Sequence, residues 1–202
     1  MKQLERQDAD VPTAARDFID ELSREFGLDL EDPNFTDTAQ RGARTFTELL
    51  DGHINTQYRA AQLLGAQFPV THAEMLLERD IHAVGLCPHH LLPIAYTADF
   101  AYIPQTSVVG LSKIPRLIKL LAARAIIQEE LISEIVDTFT THVKPLGVAC
   151  VLHGFHTCMA LRGVEAREAT TTSSAMRGVF LTNDKDAKTE FFALLNLNGA
   201  RK

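Results

Sequence analysis

Apolar positions along this chain change period several times, and each change marks an element. Phe18, Leu22 and Phe26 recur at i, i+4 and i+8 after Thr13, which predicts a helix stopped at Gly27. Beyond the turn-like Glu31-Asp32-Pro33-Asn34, a second helix begins near Thr36 or Asp37, with Phe46, Leu49 and Leu50 on its apolar side. Residues 51–70 carry only a weak pattern. The segment 73–86 reads as a strand, and residues 96–104 alternate as its antiparallel partner, with Gln105-Thr106-Ser107 turning the chain. Ile114, Leu117, Ile118 and Leu121 form a helical stripe behind Ser112, a good N-cap, and Pro115 is tolerated in the first turn. A longer helix over about 126–143 presents Ile127, Leu131, Ile135 and Phe139 on one face. Two strands follow, 147–153 and 156–161, then a strand or loop at 170–174 and a short amphipathic helix at 188–195. This order predicts an α+β fold with an antiparallel sheet.

Composition narrows the class. With 202 residues, 46% hydrophobic and 23% charged, the chain suits one domain, or a compact domain with a helical extension. A net charge of −6 argues against bulk nucleic-acid binding but leaves room for a local basic pocket for a small anion. Three cysteines are too few for a disulfide framework and fit a reducing compartment. The polar first twelve residues carry no apolar signal core, and no 18-residue apolar run occurs. Both point to a soluble, cytoplasmic protein with no membrane partner.

Candidate chemistry gathers in two short windows. Cys87-Pro88-His89-His90 follows the first strand, and Cys and His at i and i+3 in a tight turn can aim at one soft, tetrahedral ion. His156-Thr157-Cys158 lies far downstream, and in a strand His156 and Cys158 share a face. Three protein ligands with an open position mark a catalytic metal, and two Cys and three His exceed that need, which frees imidazoles for acid–base work. Each residue alone reads as a core thiol or an ordinary histidine. Five together make a metal site an equal alternative. Arg41 and Arg44, three apart on a helix, form either a solvated face or an anion contact. Ser112, Lys113 and Arg116 at a helix N-terminus form either an ordinary capped start or an anion site.

The order of these pieces resembles the GTP cyclohydrolase I family. The matching motifs are Cys87-Pro88-His89-His90, Ala101-Tyr102-Ile103-Pro104, Gly110-Leu111-Ser112-Lys113 with Arg116, Gln128-Glu129, and His156-Thr157-Cys158 with Arg162-Gly163. Thr38, Arg41, Ala43 and Arg44 resemble the family's upstream helix. The resemblance implies the tunnelling fold, an antiparallel sheet with two long helices on one face, as a catalytic domain over 51–202 behind an N-terminal helical extension over 1–50. It also implies that Cys87, His90 and Cys158 hold zinc, with ferrous iron as the alternative ion. His89 and His156 become the acid–base pair, and Glu129 with Gln128 beside it binds the guanine edge. Arg41, Arg44, Ser112, Lys113, Arg116 and Arg162 hold the triphosphate. The implied reaction opens the imidazole ring of GTP, releases formate and forms 7,8-dihydroneopterin triphosphate. The implied assembly is a homodecamer of two pentamers with active sites between subunits.

Three departures stand out. Pro88 occupies the position where the family usually has Glu, which removes a carboxylate and an N–H beside the metal turn. The segment 91–96 lacks the family's glycine turn, and Arg124-Ala125-Ile126 stands where an Arg-Pro pair is usual. Two further readings fit the same residues: an enzyme of this fold that stops at ring opening or takes a related purine, and a non-catalytic purine or pterin binder. His53, His72, His82, His142 and His153 match no motif role, and Cys150 reads as a core thiol.

Overall fold

The computed structural model describes residues 12–29, 31–71, 74–182 and 185–196, so residues 1–11, His72 and Ala73 of the sequence reading lie outside it. The chain divides into two compact units, the first ending at Asp51 and the second starting at Gly52. The first unit holds α1 (Thr13–Glu25) and α2 (Thr38–Leu50), packed on each other. Of the stripe that predicts α1, Phe18, Leu22 and Phe26 all remain exposed.

The second unit contains α3 (Thr56–Leu64), β1 (Gln67–Pro69), β2 (Leu76–Leu86), β3 (Pro93–Ile103) and β4 (Ser107–Val109). It continues through α4 (Lys113–Ala122), α5 (Gln128–Val143), β5 (Gly147–His156), α6 (Thr157–Ala160), β6 (Thr171–Gly178) and α7 (Lys185–Asn196). Four strands form one antiparallel sheet in the order β2-β3-β5-β6, and β1 pairs with β4 separately.

Alternation decides which face of the sheet is covered. Tyr96, Ala98, Phe100 and Tyr102 of β3 turn toward α4 and α5, where the Phe100 and Tyr102 rings each lie 4.9 Å from that of Phe139. The stripe Ile114, Leu117, Ile118 and Leu121 of α4 is fully buried in the same core, at roughly 1.5–3 kcal/mol per side chain. Ala101, Ala149, Val151 and Met176 point the other way, into a smaller cluster with Phe180 and Phe191. The result is the expected α+β architecture with both long helices on one face.

Several local expectations change. The region 51–70, weak in pattern, contains α3. The long helix starts at Gln128, because Ile127 is extended with ψ 148°. Ser112 stands at the N-cap of α4 but its side chain makes no capping bond. The two strands expected over 147–161 are one strand ending at His156, followed by a single helical turn. The Thr157 hydroxyl donates to Pro93 O at 2.5 Å, 64 residues away, and Leu161 N–H donates to Thr157 O, and these two bonds override the strand-like alternation.

Between α4 and α5, Arg124 is buried. Its Nε donates to Leu121 O at 2.7 Å, and its two terminal nitrogens grip the Glu134 carboxylate at 3.2 and 2.5 Å. This fork ties the helix junction whose last carbonyl, Arg124 O, receives Leu86 N–H at the end of β2.

Near the start of β2, Glu78 Oε1 is buried without a hydrogen-bond partner, and burial raises this carboxyl from 4.5 to about 7. Arg79, Asp80, His82 and Lys119 line the same cavity. The unfolded carboxyl ionises near 4.5 and the folded one near 7, so the contribution is most favourable below pH 4.5 and is lost as pH rises to 7. Glu78→Gln should therefore stabilise the protein at pH 8 by about 1–2 kcal/mol, allowing for partial exposure, and do almost nothing at pH 4. Urea unfolding at the two pH values checks this; an equal shift at both would refute it.

Candidate metal centre and active site

The cysteine–histidine turn is shaped by its own backbone. Leu91 N–H donates to Cys87 O at 2.8 Å and Cys87 N–H to Leu92 O at 2.9 Å, closing the loop between β2 and β3. Pro88 occupies the second position of this turn, where its fixed φ fits and its missing N–H has no required partner. Leu91 adopts φ +53°, an uncommon conformation for a branched residue that the flanking strand pairing enforces. Cys87 is thereby buried while His89 and His90 are exposed.

The helical turn after β5 brings the third donor. One ligand atom each from Cys87, His90 and Cys158 lies within 4.8 Å of the others. Cys87 Sγ is 3.5 Å from His90 Nδ1, against the roughly 3.5–3.8 Å between neighbouring donors on a tetrahedral ion with Zn–S of ~2.3 Å and Zn–N of ~2.0 Å. Burial and the neighbouring Cys87 raise the Cys158 thiol above its ordinary value, while Arg162 pulls it back. Two thiolates this close repel unless a cation joins them, so the donor set fits a divalent metal. Cys150 is apart, fully buried in β5, with its thiol pushed up by desolvation.

Two imidazoles border this group. His89 Nδ1 is 3.8 Å from Cys87 Sγ. His156, the last residue of β5, places Nε2 at 2.9 Å from Gln128 Oε1, and burial lowers its pKa against the opposing pull of Glu129. Glu129 is exposed, next to Gln128 in the first turn of α5. Beneath them lies Tyr96, 2% exposed, its ring edge-on to His156 at 6.4 Å. Gly154 pairs with Tyr96 across the sheet, and a Cβ there would overlap Gln128 Oε1 and sit 3.0 Å from His156 Nε2 and 3.1 Å from the Tyr96 ring. Tyr96 and Gly154 are the site residues that sequence reasoning missed. A glycine inside a strand is the one available signal, since it marks a close approach.

The cationic residues are divided. Arg162 acts electrostatically on Cys158 and belongs to this group. Ser112, Lys113 and Arg116 do not. The C-terminal end of α4 meets β2 near Cys87, through Ala122 O at Gly85 and Arg124 O at Leu86. Pro115 and Lys119 instead face Glu78–His82, so the N-terminus of α4 lies about 14 Å away along the helix axis. Arg41 and Arg44 sit three apart on α2 in the first unit, and Arg41 Nη2 is 3.5 Å from Thr38 Oγ1. Of the other described histidines, His53 Nε2 accepts from Ala125 N–H, His82 pairs with Thr97, and His153 pairs with Thr172. His82 is exposed on β2, where its neighbours Ile81 and Ala83 are the residues that face the helix-side core.

Comparison with known proteins gives a consistent picture. The family model described as GTP cyclohydrolase I matches residues 15–196. GTP cyclohydrolase 1 of Campylobacter jejuni (strain 81-176) is 43% identical over 169 residues, covering 82% of this chain and 87% of that protein. GTP cyclohydrolase 1 of Campylobacter lari is 47% identical over 146 residues, covering 71% of this chain and 76% of its own length. The enzyme of the same name from Chlorobaculum tepidum is 37% identical over 189 residues, covering 94% of this chain and 83% of its own. Among the described residues, no helix is long and apolar enough to cross a membrane.

Proposed function

The chain belongs to the GTP cyclohydrolase I family, and from that premise we propose that it is a metal-dependent hydrolase that opens the imidazole ring of GTP, releases formate and forms 7,8-dihydroneopterin triphosphate. The observation that carries this reading is the convergence of Cys87, His90 and Cys158, with His89 and His156 at its border. Zinc, or ferrous iron in its place, would be held by those three residues and supplies the Lewis acidity that lets water attack at neutral pH.

The chain's own residues do the rest. Glu129 accepts hydrogen bonds from N1–H and the 2-amino group of guanine together, a donor pair that adenine lacks. Arg162 holds the phosphate end from the same protomer, and His89 and His156 move protons at the reacting carbons and nitrogens. Lys113 and Arg116, helped by Ser112, complete the triphosphate site from a neighbouring copy, because α4 carries them away from their own metal group. Arg41 and Arg44 of α2 are proposed as further phosphate contacts. Both edges of the sheet, β2 and β6, are long, which supports side-by-side assembly into the rings of a homodecamer of two pentamers.

Incubation of the metal-loaded protein with GTP should yield formate and dihydropterin absorbance in equal amounts, with ATP turned over at least ~10³-fold more slowly. Formate without pterin would demote the reading to a ring-opening enzyme. His89→Ala should retain full metal and lose about 10²–10⁴ in kcat; unchanged turnover would remove His89 from the mechanism.

A further inference from the structure

Gln128 is 2% exposed, at the start of α5, and its side chain is held from three sides. Nε2 lies 3.0 Å from Leu152 O, from Thr171 O and from Ser173 Oγ. Two of these are main-chain carbonyls, which only accept. Turning the amide over would set Oε1 against both carbonyls, so its orientation is fixed by chemistry. Oε1 must therefore face His156 Nε2 at 2.9 Å, and an oxygen that only accepts requires a hydrogen on that nitrogen.

We propose that Gln128 is a positioning residue that holds His156 as its Nε2–H tautomer, leaving Nδ1 as the nitrogen that exchanges a proton with substrate. Its amide serves the imidazole and not the guanine edge, which falls to Glu129. Both Gln128 N–H donors are spent inside the protein. Gly154 is part of the same device: a Cβ there would overlap Gln128 Oε1 and sit 3.0 Å from His156 Nε2, forcing the hydrogen-bonded pair to shift. Nδ1, bare in the resting tautomer, takes a proton from the attacking water and passes it on to a purine nitrogen, while Nε2 keeps its own hydrogen on Gln128 throughout. The catalytic half of this inference rests on the GTP reading above; the tautomer does not.

Solid-state ¹⁵N spectra of the intact, metal-loaded protein with labelled histidine, assigned by subtraction against His156→Asn, read the tautomer without substrate. At pH 8 the expected pattern is pyrrole-type Nε2 and pyridine-type Nδ1. The opposite pattern overturns the proposal, even in a protein that turns over no GTP. Gln128→Met removes the acceptor, and Gly154→Ala disrupts the bond while keeping every Gln128 donor. In either variant that folds, the tautomer should become mixed. kcat should fall about 10–100-fold, with KM for GTP changed less than about 3-fold. A rise in KM with kcat preserved would assign Gln128 to base binding instead and overturn the proposal, as would an unchanged tautomer in both variants.

Discussion

Cys158→Ala should fold, lose its metal entirely and lose at least about three orders of magnitude in turnover. Among the described residues Cys158 is one of three donors in the group, and two remaining ligands do not hold an ion against solvent and chelators. The fold should survive because Cys158 is only partly buried, at the edge of the core and in a turn pinned by Thr157 rather than by its own side chain. The metal-free variant should melt close to the metal-free wild type, since Cys158 is only partly buried. Added zinc should raise the melting temperature of the wild type alone, because only a native-state site converts binding into stability. Metal analysis after dialysis, paired with melting curves at matched zinc, checks both halves. A variant that keeps full metal stoichiometry would exclude Cys158 from the ligand set.

Much of this centre is readable from residue types in order, because its chemistry is local. Cys87 and His90 sit in one turn, and the apolar stripe Ile114, Leu117, Ile118 and Leu121 sets α4 on the sheet as its spacing predicts. Cys158 is visible as a residue but not in its geometry. His156-Thr157-Cys158 alternates like a strand, and only the Thr157 bond to Pro93, 64 positions away, converts it to a helical turn. The fixation of Gln128 is equally non-local, since its partners lie 24 to 45 residues along the chain in β5 and at β6. Tyr96 carries no motif, and its role as the floor beneath His156 depends on Gly154 lying opposite it in register. The Arg124–Glu134 fork is hidden for a simpler reason. Ten residues separate the pair, and only the bend between α4 and α5 turns one toward the other.

Two inactive variants should restore each other when mixed. In the proposed site, Arg116→Ala would remove a phosphate ligand near the N-terminus of α4 and His89→Ala an acid–base group near its far end, so neither variant alone should turn over GTP well. If Arg116 of one copy serves the metal group of its neighbour, dissociating the two variants together and reassembling them at equal ratio creates mixed interfaces. In about one quarter of these, the catalytic half comes from an Arg116→Ala chain and the cations from a His89→Ala chain, with both contributions intact. Specific activity should then rise to about a quarter of the wild-type value per site, against a loss of roughly 10²-fold or more for each variant alone. Were one chain to build the whole site, mixing would yield no more than the sum of the two inactive parents. The path of α4 argues for recovery: it delivers Ala122 and Arg124 to the metal turn and, by the same rigid geometry, sets Lys113 about 14 Å and Arg116 about 9 Å back along the helix axis.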